Sequence, residues 1–147
     1  MNEALLLDTH VVLWLDSGDE RLRGETREVI DRCWNTGGTI FVSAITAWEI
    51  ALLIDLGRIE LDLPAPAWMA RFLNRPGVVE QPLGWREATD AYALDGLDHR
   101  DPADRILIAT AIALGCPLVT YDERVVEFAE RDGRRQGFTV ATTVMSR

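Results

Sequence analysis

Lysine is missing from this chain. All fifteen basic residues among its 147 are arginine, which excludes every mechanism that needs a catalytic or Schiff-base lysine. Phosphate-binding glycine motifs are missing too: neither GxxxxGK[ST] nor GxGxxG occurs, so P-loop and dinucleotide-binding readings fail at the start. Cysteine is scarce. Cys33 and Cys116 form no CxxC pair, and His10 and His99 are the only histidines, too few ligands for a structural zinc site and suited to a reducing compartment. Long apolar runs are lacking as well. Val11–Leu15 and Ala44–Ile54 are bounded or broken by Asp16, Glu49 and Asp55, and neither reaches the ~20 residues that span a bilayer. No basic stretch precedes the first apolar residues, so a cytoplasmic protein without a membrane partner is expected. Fifteen basic against twenty-four acidic residues give a net charge of −9. That argues against holding nucleic acid by a broad basic surface, though not against cutting it.

What is present reads as one domain, residues 1–147, of ordinary globular composition, 48% hydrophobic and 27% charged. The chain opens on Ala4-Leu5-Leu6-Leu7, which stops on Asp8-Thr9 and runs on into the helix-like His10-Val11-Val12-Leu13-Trp14-Leu15. A short apolar run followed directly by a helix is the signature of a buried strand in a parallel sheet. In such α/β sheets the ligand crevice lies at the carboxyl ends of the strands. Asp8 is therefore expected at the mouth of a site.

The same design recurs along the chain. Glu20–Asn35 reads as a polar helix closed by Thr36-Gly37-Gly38, Thr39–Val42 as a strand, and Ser43 as the N-cap of a helix over Ala44–Ile54 that carries Glu49 among apolar neighbours. An ionised acid on such a face is costly unless paired or metal-bound. Gly57 ends that helix, and an extended Arg58–Leu63, a short helix from Ala67 to Leu73, a weak strand at Val78–Glu80 and a helix over Trp85–Leu94 follow, with Trp68, Met69 and Trp85 expected in the core or an interface. Asp101 and Pro102 begin an apolar helix as N-cap and first residue, with Asp104 in its first turn. Leu118-Val119-Thr120 is a strand ending at Tyr121-Asp122, and a helix over Glu123–Arg131 and a last strand near Phe138–Val140 close the chain.

In a parallel sheet four acids, Asp8, Glu49, Asp104 and Asp122, can all face one crevice. Two unit charges about 4 Å apart repel by ~4 kcal/mol at an effective dielectric near 20, so the cluster requires a cation. Oxygen donors without a His or Cys cluster favour Mg²⁺ or Mn²⁺ over zinc.

These residues resemble the PIN domains, and among them the VapC toxins of bacterial toxin–antitoxin pairs. The matching pieces are Leu6–Trp14, Ser43-Ala44 with Trp48–Ala51, Arg100–Arg105 with its apolar helix, and Leu118–Asp122. The resemblance implies a three-layer α/β fold with a short parallel sheet between helices, a Mg²⁺-dependent endoribonuclease, a homodimer, and a cognate antitoxin that blocks the site. It places the acidic set on Asp8, Glu49, Asp104 and Asp122, with Asp8, Asp104 and Asp122 as metal ligands and Glu49 as a further ligand or a proton acceptor. Thr120 matches the family's hydroxyl beside the last acid, and Asp101 is a supporting residue that its cap explains in full. Arg100 and Arg105 flank the acids, to hold RNA phosphates or to pair with neighbouring carboxylates. Trp14 and Trp48 are expected in the core, with a partner surface as the other use. Receiver domains and haloacid-dehalogenase-type phosphotransferases also put aspartates at strand ends, but they use a lysine that this chain lacks. Two rivals stay open: a docking module that uses the acids as a socket without turnover, and a metal nuclease directed at DNA.

Overall fold

In a computed structural model, which describes residues 3–98 and 100–142, the apolar runs pair side by side as a four-stranded sheet. The strands are β1 (Ala4–Leu7), β2 (Thr39–Ser43), β3 (Val78–Gln81) and β4 (Leu118–Val119), ordered β3-β2-β1-β4. All three pairings are parallel, with Leu5 beside Ile40, Leu7 beside Val119 and Phe41 beside Val79. Parallel neighbours require crossovers. Helices α1 (Thr9–Ser17) and α2 (Gly24–Asn35) connect β1 to β2, α3 (Ala44–Asp55) and α4 (Ala65–Leu73) connect β2 to β3, and α5 (Trp85–Tyr92) and α6 (Pro102–Leu114) connect β3 to β4. After β4 come α7 (Glu123–Phe128), a π-helical stretch over Ala129–Gly133 and a final turn α8, Arg134–Gln136.

Side chains alternate across a strand, and here both sides are covered. Leu5, Leu7, Ile40, Val42 and Val119 pack with Val12, Ile30, Ile50, Trp68 and Phe72 on one face. Leu6 and Leu118 pack with Leu107, Ile108, Phe128 and Phe138 on the other. The three-layer arrangement is the expected one, and it explains why the strands read as unbroken apolar runs. At the amino-terminal corner the layers close on Gly38. A Cβ there would lie 2.5 Å from the Glu3 carbonyl oxygen and 2.7 Å from both the carbonyl oxygen and Sγ of Cys33, so only glycine fits. Among the described residues no helix is long and apolar enough to cross a membrane.

Several local expectations are corrected. Helix α2 begins at Gly24 rather than Glu20, because the Asp19 carboxylate accepts from Arg21 N at 2.8 Å and the Asp19 carbonyl from Leu22 N at 3.1 Å, which spends those groups on a turn. The strand expected at Phe138–Val140 is reduced to a single bridge between Val140 and Leu118. Trp68 and Met69 are buried as expected, but Trp85 is 71% exposed and Trp48 61% exposed. His99 lies outside the described residues.

Candidate active site

Asp8 follows β1 directly, and its backbone leaves the strand at φ −67°, ψ 154° to become the N-cap residue of α1. This strand-to-helix switch sets a carboxylate at the carboxyl edge of the sheet. Asp122 stands three residues beyond the end of β4 as the N-cap of α7, its side chain accepting from the backbone N of Arg124 and Val125. Asp101 caps α6 by accepting from Ala103 N and Asp104 N. Glu49 comes from mid-helix on α3, which Ser43 starts by accepting from Ile45 N at 3.1 Å.

These elements enclose a cavity of about 410 Å³ lined by Asp8, Glu49, Asp101, Asp104 and Asp122, together with His10, Val11, Trp14, Tyr121 and Arg124. All four acids of the expected set meet there, and Asp101 joins them. Asp8 is only 8% exposed. Its Oδ2 accepts from the Thr120 hydroxyl at 2.6 Å, while Thr120 Oγ1 also accepts from Asp122 N at 3.1 Å. Thr120 therefore ties the two strand-end acids together. Across the cavity, the Thr9 hydroxyl donates a short hydrogen bond to Glu49 Oε1 and lies 3.1 Å from the Thr46 hydroxyl. One oxygen each of Asp8, Glu49, Asp101 and Asp122 is thus anchored to the fold, which limits how each carboxylate turns.

The electrostatics follow from burial. Desolvation pushes the Asp8 carboxyl above the usual carboxylate range, opposed by the Thr120 hydrogen bond and the nearby His10 and reinforced by Asp122. Desolvation also raises Glu49 to about 7 against the Thr9 hydrogen bond, with Asp8, Asp104 and Asp101 adding repulsion. The fold holds negative charge where water is thin and other negative charge is close. Either protons or a cation must balance it. Among the described residues no three acids are already gathered around one ion position. The donor set is all carboxylate and hydroxyl oxygen, however, and this chemistry fits a hard divalent cation such as Mg²⁺ or Mn²⁺ rather than zinc.

The two arginines singled out in the sequence do not line this cavity. Arg100 is exposed on the approach to α6. Arg105 donates from Nη1 to the carbonyls of Ala91 at 3.1 Å and Tyr92 at 3.4 Å, and from Nη2 to that of Leu97 at 2.5 Å, satisfying carbonyls at the end of α5. The arginine at the cavity is Arg124, whose Nη2 is 3.7 Å from Asp122 Oδ2. Thr9, His10 and Tyr121 also hold places that the sequence reading did not assign. A signal was available for two of them, since Thr9 and Tyr121 adjoin Asp8 and Asp122 at the very strand ends that carry the acids.

Comparison with known proteins places the fold among known families. The family model described as PIN domain matches residues 5–132. Ribonuclease VapC22 of Mycobacterium tuberculosis (strain ATCC 25618 / H37Rv) is 33% identical over 124 residues, covering 82% of this chain and 88% of that one. Among solved structures, a toxin-antitoxin complex from Klebsiella pneumoniae shares the fold with a TM-score of 0.59 at 18% identity, over 96% of this chain and 99% of the other. A structure of FitAB bound to an IR36 DNA fragment has a TM-score of 0.54 at 16% identity, over 97% and 98% of the two chains.

Proposed function

The chain belongs to the PIN domain family, and from that premise we propose that it is a divalent-metal-dependent endoribonuclease, the toxin of a bacterial toxin–antitoxin pair. The observation that carries the reading is the convergence of five carboxylates on one cavity at the carboxyl edge of a parallel sheet. The relative named as a VapC ribonuclease supports RNA as substrate, and the toxin-antitoxin complex that shares the fold supports an antitoxin as partner. A cytoplasmic location is part of the same proposal. Self-association as a homodimer is part of the same proposal, supported by Trp48, Leu52 and Leu56, which stand exposed at four-residue spacing on and just beyond α3.

Asp8, Asp104 and Asp122 would hold Mg²⁺ or Mn²⁺. Bound there, the cation supplies Lewis-acid activation of water and neutralises charge at the scissile phosphate. The rest of the chemistry belongs to the chain. Glu49, which lines the same cavity on its own helix, takes the proton of the attacking water. Thr9 keeps its carboxylate aimed, and Thr120 does the same for Asp8. Asp101 begins α6, so that Asp104 enters the cavity from a rigid first turn.

The test is cleavage of structured and unstructured RNA in Mg²⁺, against EDTA, against Asp104→Asn and against DNA of matched sequence. Cleavage of RNA that both EDTA and Asp104→Asn abolish is the expected result. Full activity of Asp104→Asn would reduce that residue to helix capping. Equal cutting of DNA would move the substrate class, and no cutting with either Mg²⁺ or Mn²⁺ would leave a docking module.

A further inference from the structure

Arg124 lies among the acids of the cavity, and the chemistry above gives it no task. It sits in the first turn of α7, which Asp122 caps. The cap uses one oxygen of that carboxylate: Asp122 Oδ1 accepts from Arg124 N at 2.9 Å and from Val125 N at 3.2 Å. Oδ2 takes no part in the cap, and its contact among the described residues is Arg124 Nη2 at 3.7 Å. That separation makes an ion pair but is too long for a hydrogen bond. The Arg124 side chain is 62% exposed, so the pair is loose and the guanidinium can leave it without opening the core. Oδ2 is also the oxygen that Asp122 has left for a cation. A hard dication binds a carboxylate oxygen at about 2.0–2.1 Å, closer than the guanidinium stands, and two like charges on one oxygen repel.

We infer that Arg124 is an exchanging counter-ion: it partners Asp122 while the acids hold no metal, and it moves onto a phosphate of the RNA when they do. The inference rests on the ribonuclease reading and deepens it by naming a residue that holds the substrate. A chain of net charge −9 whose cavity is lined by five carboxylates repels a polyanion. The dication offsets part of that charge. The guanidinium it displaces is then free, at the same cavity, to make a forked, charge-assisted contact to phosphate. Arg105 cannot serve in its place, since its guanidinium is spent on the carbonyls of Ala91, Tyr92 and Leu97. Metal and RNA draw the same side chain off Asp122, so each strengthens the binding of the other, and by an equal factor.

The experiment compares Arg124, Arg124→Ala, Arg124→Lys and Arg86→Ala in the whole chain. The last removes an equal charge from an exposed position on α5 that does not line the cavity. Asp122 caps α7 through the backbone N of residue 124, so the substitutions there keep the cap. Mn²⁺ affinity is read from the EPR signal of the free ion. Affinity for a short fluorescein-labelled RNA is read by anisotropy in EDTA and in Mn²⁺, every protein carrying Glu49→Gln so that the strand stays whole. Arg124→Ala should bind Mn²⁺ about 2- to 5-fold more tightly and, in Mn²⁺, bind RNA about 10-fold more weakly. Its RNA deficit should be smaller in EDTA, by the factor gained for the metal. Arg124→Lys should fall between the two, and Arg86→Ala should leave both Mn²⁺ affinity and the coupling unchanged. With Glu49 restored, Arg124→Ala should raise KM for RNA cleavage and change kcat little. Unchanged or weaker Mn²⁺ binding by Arg124→Ala, or an RNA affinity that is unaltered or altered equally with and without Mn²⁺, would overturn the exchange and leave the nuclease intact. The expected binding shifts, in a wild type that cuts no RNA in Mg²⁺ or Mn²⁺, would keep the exchange and remove the nuclease.

Discussion

Two ends of one sheet are built on opposite terms. At the amino-terminal corner Gly38 is packed against the backbone of Glu3 and Cys33 so closely that a methyl group has no room, and every group there serves stability. At the carboxyl edge Asp8 is buried beside Asp122, and Glu49 is desolvated within reach of three other acids. No consideration of stability favours that arrangement. A fold that closes tightly at one end and strains electrostatically at the other is expected where the strained end works.

Substitutions can separate the two ends. The largest effect is expected for Glu49→Gln, which removes the proposed proton acceptor and should lower RNA cleavage roughly 10²-fold or more while raising the melting temperature of the EDTA-treated protein at pH 8. Single-turnover cleavage and thermal melts on one preparation check both signs. Gly38→Ala should do the reverse. It forces backbone apart, costs about 1–3 kcal/mol, or roughly 2–4 °C in melting temperature for each kcal/mol, and leaves activity per folded molecule unchanged. If Gly38→Ala lost activity beyond its unfolded fraction, or Glu49→Gln melted lower, the two ends would not be separable.

The pH dependence sharpens the contrast. Glu49 has a folded-state pKa above its unfolded value of 4.5, so the folded state holds its proton more tightly. The stability this contributes is fully present below about pH 4.5 and is lost as pH rises through about 7. With a discount for screening at a group that is not fully buried, the loss should be about 1–2 kcal/mol. A melting-temperature profile of the EDTA-treated protein should therefore fall more steeply between pH 5 and 8 for wild type than for Glu49→Gln, and parallel profiles would refute it. The smallest effect belongs to Asp101→Ala, which deletes a cap worth ~1 kcal/mol. Asp101→Asn should recover that stability, and both variants should keep cleavage within about tenfold of wild type if Asp101 only positions α6.

Much of this molecule was legible along the chain because β1, β2 and β4 are buried between helices and α3, α6 and α7 start on side-chain caps. Three apolar runs, Ser43 and Asp101 carry that information locally, and the PIN resemblance rested largely on the same stretches. The corrections fall where local propensity met a competing bond. Asp19 takes the turn that would have begun α2, Val140 makes one bridge where a strand was expected, and the Arg105 guanidinium serves the end of α5.

What the sequence alone determined was the set of acids and the strand ends that carry two of them, since apolar runs that stop on a carboxylate are a one-dimensional signal. The tertiary structure alone decided which hydroxyls anchor those acids, which arginine reaches the cavity and which rings wall it. Thr9 meets Glu49 across 40 positions and Thr120 meets Asp8 across 112, and Trp14 faces Tyr121 only because β1 and β4 are neighbours. Contacts at such separations depend on sheet order and crossover packing, which no local window of the chain contains.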